Sequence, residues 1–195
     1  NKNYKFYGFY IFIIKFFYRF LDGIIFNSEF TKLSFNKYNI INKNCIIIAN
    51  PLLVKKKSFL QLPNKKIKNK KIFITCSRLE KEKNLLEMVK LFKIYNNSEP
   101  NSELKIIGSG PELKKIKSII FYYGLKNKIK IIEENYDIEK YYITSDIYLS
   151  TSKSEGFGNV FIEANYYNLP IISFDNGGIS DIIQKTHQGF IVKNN

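Results

Sequence analysis

The sequence predicts an α/β protein whose parallel β-sheet is covered by helices on both faces. From residue 72 onward, short apolar runs alternate with longer segments in which apolar residues recur at helical spacing. Strands joined through helices form right-handed crossovers, and these build a parallel sheet that is buried on both sides. Hydrophobic residues fill 45% of the 195 positions and aromatic residues 16%, so the chain has enough apolar surface for such a core and is not a disordered protein.

The first 50 residues predict two helices and two short strands. Residues 4–21 form the most apolar stretch, but three basic residues interrupt it, and a membrane span needs about 20 apolar residues. We therefore expect a helix buried in the core, with a helix at a membrane surface as the alternative. After it we expect a strand at Ile24–Phe26, a helix that Ser28 caps and that ends near Tyr38, and a strand at residues 45–49.

Residues 51–71 have a different character. They contain eight lysines, no acidic residue and two prolines, which is typical of a linker or a solvated loop.

The alternation that follows predicts six strands and five helices. The strands are expected at residues 72–76, 104–107, 129–132, 147–150, 170–174 and 190–192. The helices are expected at residues 83–95, 111–123, 138–142, 159–167 and 179–184.

Ligands of open α/β sheets bind at the carboxyl ends of the strands, so the residues that follow each strand are candidates for a site. Four of these segments are polar or rich in glycine: residues 77–78, 108–111, 150–159 and 175–178. The topology therefore predicts that they share one edge of the sheet.

The segment 154–159, Ser-Glu-Gly-Phe-Gly-Asn, leads directly into a predicted helix. Glycines permit close backbone approach, and a helix N-terminus attracts anions, so this segment predicts a phosphate site. Glu155 and Glu163 suit sugar or ribose hydroxyls, to which a carboxylate is a strong acceptor. The alternative is a plain strand-to-helix turn with Glu163 in solvent.

Two cations follow the first strand of this sheet. Arg78 is one of only two arginines, and Lys83 stands five positions later; together they would clamp a diphosphate and neutralise a leaving group. The alternative for Lys83, one of 29 lysines, is a solvated side chain. Gly108 and Gly110 do not extend to a complete dinucleotide-binding motif because Leu113 stands at the third glycine position. They predict either a tight turn beside a nucleotide or a plain loop.

Composition excludes several other functions. One histidine and two separated cysteines make a zinc site or a Ser-His-Asp triad untenable, and we expect no metal and two free thiols in a reducing compartment. The formal charge of +14 suggests nucleic acid or an anionic membrane as a partner. However, Ile, Lys and Asn together fill 83 positions, so most of this charge reflects a bias that runs through the whole chain.

Five segments together resemble a known family. They are Ser77-Arg78-Leu79 with Lys83-Asn84, residues 107–113 (IGSGPEL), residues 154–164 (SEGFGNVFIEA), residues 169–172 (LPII) and residues 188–192 (QGFIV). Their order and spacing resemble the nucleotide-sugar-binding domain of GT-B glycosyltransferases of the retaining family 4. The resemblance covers residues 45–192 and implies a Rossmann-like sheet that forms the C-terminal half of a GT-B fold.

The resemblance also implies a role for each matching residue. Arg78 and Lys83 match the basic pair at the donor diphosphate, Glu155 matches the carboxylate beside the transferred sugar, and Glu163 matches the one that holds the ribose. Gly156, Phe157, Gly158, Asn159 and Val160 match the loop at the sugar and phosphates, and Gly108 and Gly110 match the turn near the base. The family usually has glycine where this chain has Asn168, and we expect asparagine to preserve a left-handed helix end there.

The implied enzyme is a metal-independent retaining glycosyltransferase of hexosyltransferase type, acting in cell-surface polysaccharide synthesis. It would transfer sugar from a UDP- or GDP-sugar to a glycan or lipid-linked acceptor, in the cytoplasm or on the inner face of the membrane. Residues 1–44 would be the tail of an acceptor domain, residues 45–71 a crossover strand and linker, and residues 72–195 a truncated donor domain that is inactive alone. The alternative function is a basic α/β module whose 51–71 segment binds nucleic acid or an anionic membrane; the resemblance makes nucleic acid an unexpected partner.

Overall fold

The computed structural model of the chain has two units, residues 1–51 and 52–195, and it describes residues 2–39, 44–52, 69–133, 137–186 and 188–193. The first unit contains helix α1 (Lys2–Tyr18), strand β1 (Ile24–Phe26), helix α2 (Glu29–Lys37) and strand β2 (Cys45–Ile47). Strands β1 and β2 pair in parallel. The predicted helix cap is confirmed, because the Ser28 hydroxyl accepts a hydrogen bond from the Thr31 N–H at 3.1 Å.

The expectation that α1 is a core helix is wrong. None of the side chains described in α1 is buried, and Phe9, Phe12 and Phe17 are each more than 60% exposed. A helix that is apolar on every side needs partners all round it, and one short helix with a two-stranded sheet is too small to provide them. In the part of the chain that the structure describes, no helix has both the length and the apolar character needed to cross a membrane.

The second unit is the predicted α/β domain. Its strands are β3 (Lys71–Cys76), β4 (Ser102–Ile107), β5 (Ile129–Ile132), β6 (Ile147–Ser150), β7 (Ile171–Phe174) and β8 (Gly189–Val192). Its helices are α3 (Leu85–Ser98), α4 (Leu113–Tyr122), α5 (Glu139–Ile143), α6 (Asn159–Tyr166) and α7 (Gly178–Thr186). All six strands are parallel, in the order β5-β4-β3-β6-β7-β8.

Two hydrophobic cores cover the two faces of this sheet, as predicted. Successive residues of β3 point to opposite faces, so Phe73 packs with α3 and α4 whereas Ile74 packs with α5, α6 and α7. Right-handed crossovers explain this division, because the chain builds the sheet outward from β3 to β5 and then in the opposite direction from β6 to β8.

The lysine-rich segment lies mostly outside the described residues, since residues 53–68 are not among them. At its end the structure differs from the linker prediction. Lys71 begins β3, and Lys70 pairs with the buried Glu103 at 2.6 Å.

Candidate functional site

A cleft opens where the direction of sheet building reverses, between β3 and β6. These neighbouring strands diverge into separate loops at their carboxyl ends, which is where open α/β sheets bind ligands. The cleft has a volume of about 190 Å³. Its lining comes from β3 and the segment that leads from it into α3, from β6 and the loop after it, and from the first turn of α6. The lining residues are Thr75, Cys76, Ser77, Arg78, Lys83, Leu85, Tyr148, Ser150, Thr151, Ser152, Glu155, Gly158, Asn159 and Val160.

An ion pair between Lys83 and Glu155 lies in this cleft. The Lys83 ammonium donates to Oε1 of Glu155, and the Ser152 hydroxyl lies 3.2 Å from the same oxygen. The two charged side chains are only 17% and 14% exposed. Two residues that the sequence predicted for the site, 72 positions apart, are thus in direct contact. A mostly buried pair of this kind depends on both partners, because either charge alone would be poorly compensated.

The turn that carries Lys83 differs from the prediction. A 3₁₀ turn spans Lys81–Lys83, Asn84 adopts a left-handed conformation with φ 53°, and α3 begins only at Leu85. Lys83 therefore precedes the helix and does not start it. The left-handed Asn84 interrupts the helical conformation between the 3₁₀ turn and α3, and the turn places Lys83 in the cleft lining.

Thr151 holds this turn in place, and sequence reasoning missed it. Its hydroxyl lies 3.1 Å from the carbonyl oxygen of Lys83 and 3.0 Å from that of Asn84. Next to it, the Lys153 N–H donates to the carbonyl of Glu82 at 2.8 Å. Only the position of the 150–159 segment after a strand could have drawn attention to Thr151, because its partners are backbone atoms far away in sequence.

Arg78 lines the same cleft but does not join the Lys83–Glu155 pair. Its side chain is 78% exposed, and its guanidinium pairs with Glu80 at 3.1 Å. The two predicted cations therefore share the cleft, one mostly buried and one largely in solvent.

The first turn of α6 forms one wall of the cleft. Gly158 precedes the helix with φ 76°, and a Cβ there would lie 2.5 Å from the Phe161 ring. Only glycine satisfies both constraints, which explains the second glycine of the segment. Asn159 and Val160 also line the cleft, whereas Phe157 is buried beside it. The helix N-terminus thereby adds a partial positive charge to the cleft.

The backbone N–H and carbonyl of Glu155 are both held by the segment that follows β7. The Glu155 N–H donates to the Asn176 carbonyl at 3.1 Å, and the Gly178 N–H donates to the Glu155 carbonyl at 3.0 Å. A Cβ on Gly178 would approach that carbonyl oxygen to 2.7 Å and Gly156 to 3.0 Å. Sequence reasoning placed residues 175–178 at this edge of the sheet, and the structure brings them against Glu155.

Glu163 lies on α6, outside the residues that line the described cleft. The Tyr142 hydroxyl donates to its Oε2 at 2.8 Å. Burial raises the pKa of the Glu163 carboxyl above its usual value, and the hydrogen bond from Tyr142 acts in the opposite direction. The alternative in which Glu163 is simply solvated is therefore wrong, because Glu163 is partly buried and accepts a hydrogen bond from a buried tyrosine.

Gly108 and Gly110 pack against the loop that carries Arg78. Both have positive φ, 139° and 155°. A Cβ on Gly108 would overlap the carbonyl oxygen of Ser77, and one on Gly110 would lie 2.6 Å from that of Leu79. The two loops are also joined by a hydrogen bond from the Leu79 N–H to the Ser109 carbonyl at 2.8 Å. These glycines thus allow the backbone of the loop after β3 to pack closely against them. Neither Gly108 nor Gly110 lines the described cleft.

No cluster of three or more His, Cys, Asp or Glu residues within the described ranges could hold a metal ion. Neither cysteine forms a disulfide with a described residue, and burial raises the pKa of the Cys76 thiol to about 12. Cys76 is therefore a neutral lining residue and not a nucleophile at neutral pH.

Comparison with known proteins gives a consistent picture. Residues 57–195 match the family of glycosyl transferases, group 1. An uncharacterized glycosyltransferase of Haemophilus influenzae is 30% identical over 154 residues, which cover 78% of this chain and 42% of that protein. The poly(glycerol-phosphate) alpha-glucosyltransferase of Bacillus subtilis is 32% identical over 139 residues, 69% of this chain and 20% of that enzyme. The chain thus spans less than half the length of these relatives.

Solved structures share the fold. A mutant of S. aureus TarM, crystallised with fondaparinux, alpha-GlcNAc-glycerol and UDP, superposes with a TM-score of 0.75 at 23% identity, covering 89% of this chain and 34% of that one. Anabaena HepE in complex with UDP and glucose gives a TM-score of 0.72 at 20% identity, covering 90% of this chain and 50% of that one. At these identities the likeness establishes the architecture alone.

Proposed function

The chain belongs to the glycosyl transferases of group 1, and we propose that it is the donor-binding half of a retaining enzyme of family 4 with the GT-B fold. The enzyme transfers a hexose from a UDP- or GDP-sugar to a glycan or lipid-linked acceptor. One observation carries the proposal. Lys83, Arg78, Glu155 and the N-terminus of α6 line a single cleft at the carboxyl ends of β3 and β6.

The positive groups of the cleft suit a diphosphate. A nucleotide-sugar releases a nucleoside diphosphate, so negative charge grows on the leaving oxygen as the glycosidic bond breaks. Lys83 is mostly buried in the cleft, Arg78 lies at its solvent side paired with Glu80, and the α6 N-terminus adds its dipole. These three groups supply charge stabilisation that a divalent cation provides elsewhere, so we propose a metal-independent reaction.

The two carboxylates suit hydroxyl groups. Glu155 is fixed through its backbone and through Ser152, which leaves a rigid acceptor for hydroxyls of the transferred sugar. Glu163, one helical turn into α6, is assigned to the ribose. In this arrangement Gly156–Val160 surrounds the sugar and phosphates, and the Gly108–Gly110 turn lies toward the base.

Relatives support the substrate class. The B. subtilis relative is named for glucosyl transfer to poly(glycerol phosphate), and the TarM and HepE structures contain UDP. We therefore propose cell-surface polysaccharide synthesis, with a UDP-sugar as the first donor to test. The two free thiols fit a reducing compartment, so we assign the reaction to the cytoplasm, at the inner face of the membrane where a lipid-linked acceptor would be reached.

Calorimetric titration with UDP and GDP tests the proposal. We expect one of them to bind, and we expect Lys83→Met and Arg78→Ala each to weaken binding, because a hydrogen bond to a charged group contributes about 1.5–3 kcal/mol, or roughly 10–100-fold in Kd. Lys117→Met is the matched control, since Lys117 forms a surface pair with Glu133. Failure of both nucleotides to bind, or equal binding by the wild type and Lys83→Met, would overturn the proposal.

The alternative of a basic module that binds nucleic acid or an anionic membrane is not favoured by the family match. It predicts binding to nucleic acid or anionic vesicles that weakens steeply with salt and weakens again when lysines 55–57 are neutralised. In the proposed enzyme, by contrast, nucleotide affinity falls when Lys83 or Arg78 of the cleft is replaced. Neutralising lysines 55–57 leaves that affinity unchanged.

A further inference from the structure

Tyr142 is a buried polar residue outside the cleft lining. Its side chain is inaccessible to solvent, and its ring lies nearly parallel to those of Tyr148 and Tyr167, at centroid distances of 6.2 and 5.2 Å and interplanar angles of 13° and 15°. Burial and these two stacked neighbours restrict the ring. The hydroxyl donates to Oε2 of Glu163 at 2.8 Å and also lies within reach of the Cys76 thiol.

The contact uses one of the two oxygens of the Glu163 carboxylate. Within the described part of the chain, Oε1 makes no hydrogen bond. A carboxylate on an α-helix has several rotamers, and a donor held rigidly from another element selects one of them. Glu163 is thus held at one oxygen and has the other available as an acceptor.

We propose that Tyr142 is the positioning residue for Glu163: it holds Oε2 so that the carboxylate keeps one rotamer and offers Oε1 to the hydroxyls of the bound nucleotide. This inference rests on the proposed function, since it assigns to Tyr142 the geometry of the ribose-binding carboxylate. It adds a residue of α5 to a site otherwise built from β3, the segment between β3 and α3, the loop after β6, and α6.

The electrostatics support this role. Burial raises the pKa of Glu163, and the Tyr142 hydrogen bond stabilises the ionised form and lowers that pKa. The other titratable groups that act on Glu163 are Cys76 from β3 and Tyr148 from β6. Burial raises the pKa of both groups, that of Cys76 to about 12, so both are neutral near pH 7. Tyr142 is then the group that favours the carboxylate form.

Tyr142→Phe tests the inference, because it retains the stacked ring and removes only the donor. We expect the Kd for UDP, or for GDP if that is the nucleotide that binds, to rise about tenfold. We also expect the pH midpoint of nucleotide affinity to move upward, because Glu163 loses the group that favours its ionised form. A purely structural role would lower the melting temperature without moving this midpoint. Tyr167→Phe is the matched control from the same stack.

A double-mutant comparison isolates the path through Glu163. If Tyr142 acts by holding this carboxylate, Tyr142→Phe has no further effect on Kd in a Glu163→Gln background. Glu163→Asp keeps the charge but shortens its reach, and we expect it to lose affinity as Tyr142→Phe does. Wild-type affinity in Tyr142→Phe, or an equal loss in both backgrounds, overturns the inference while the proposed function stands. A wild type that binds no nucleoside diphosphate overturns both.

Discussion

Lys83 and Glu155 give the cleft a balanced pair of charges before any substrate is considered. In the proposed enzyme, the carboxylate would compete with the donor diphosphate for the same ammonium and would also repel it. The carboxylate assigned to the sugar would therefore weaken the binding of a nucleotide that carries no sugar.

This competition leads to opposite effects for the two residues. Glu155→Gln should bind UDP, or GDP if that is the nucleotide that binds, about 3–10-fold more tightly, because it removes the repulsion and frees Lys83, whereas Lys83→Met should bind it more weakly. Isothermal titration calorimetry measures both. Glu133→Gln, at a surface pair, is the control and should match the wild type. Weaker binding by Glu155→Gln would show that this carboxylate contacts the nucleotide itself.

Gly108 and Gly124 both have positive φ but differ in their surroundings. At Gly108 a Cβ would overlap the Ser77 carbonyl, whereas at Gly124 a Cβ would meet no atom within 4 Å. Gly124→Ala should therefore cost only the left-handed backbone, about 1–2 kcal/mol. Gly108→Ala should cost clearly more and should weaken nucleotide binding, because Ser77 and Arg78 must move. Urea denaturation with calorimetry checks both, and equal costs would contradict the packing role.

At the level of elements, the apolar runs predicted every strand that the structure shows and nearly every helix boundary to within a few residues. Burial on both faces leaves short continuous apolar strands, which is the signal that the sequence contains. The turn before α3 was missed because Lys81, Glu82 and Lys83 all favour helix and nothing local marks the turn. Its geometry depends on Thr151, a contact across 68 residues.

Asn84, which precedes α3, and Asn168, which follows α6, both adopt the left-handed conformation with φ 53°. The conformation of Asn168 was predicted from the family pattern, and it is confirmed. Only Asn84 adjoins the turn that carries Lys83.

Alanine at either position should therefore lower the free energy of unfolding by a similar amount, about 1 kcal/mol. The reason is that the left-handed conformation is less favourable for alanine than for asparagine. Asn84→Ala should also weaken nucleotide binding several-fold, whereas Asn168→Ala should leave it unchanged. Glycine at each position should restore stability. Urea denaturation and calorimetry separate the two effects, and unchanged binding in Asn84→Ala would mean that the turn does not set the position of Lys83.

For the whole molecule, composition and the alternation of apolar and helical segments predicted the fold class. They did not predict which of the many charged side chains would line the cleft. The formal charge of +14 comes from 31 basic and 17 acidic residues, and only two of those basic side chains, Arg78 and Lys83, line the described cleft. Their selection depends on which loops the sheet order brings together. The burial expected for α1 was wrong because that expectation, too, rested on composition alone. An apolar sequence shows that a helix surface is hydrophobic, but it does not show which part of the molecule, if any, covers that surface.

Glu103 shows how the surplus of lysine supports the sheet. It is 5% exposed on β4, between Lys70 beside β3 at 2.6 Å and Lys130 on β5 at 3.3 Å. Burial alone would raise its pKa, but the hydrogen bonds and charges of the two lysines outweigh burial and hold the pKa below its usual value near 4.5.

Acid should therefore destabilise the sheet through this residue. A carboxyl whose pKa is lower in the folded state binds fewer protons there than when unfolded, so its stabilising contribution is complete above about pH 5 and is lost as the pH falls through the lowered pKa. Glu103→Gln removes that contribution, so the difference in unfolding free energy between wild type and variant should be largest near pH 7 and should shrink below pH ~4. Urea denaturation across this range measures it, with Glu133→Gln as the exposed control, for which we expect less than about 1 kcal/mol at any pH. A difference for Glu103→Gln that stays constant with pH would mean that packing, and not the charge on Glu103, accounts for its contribution.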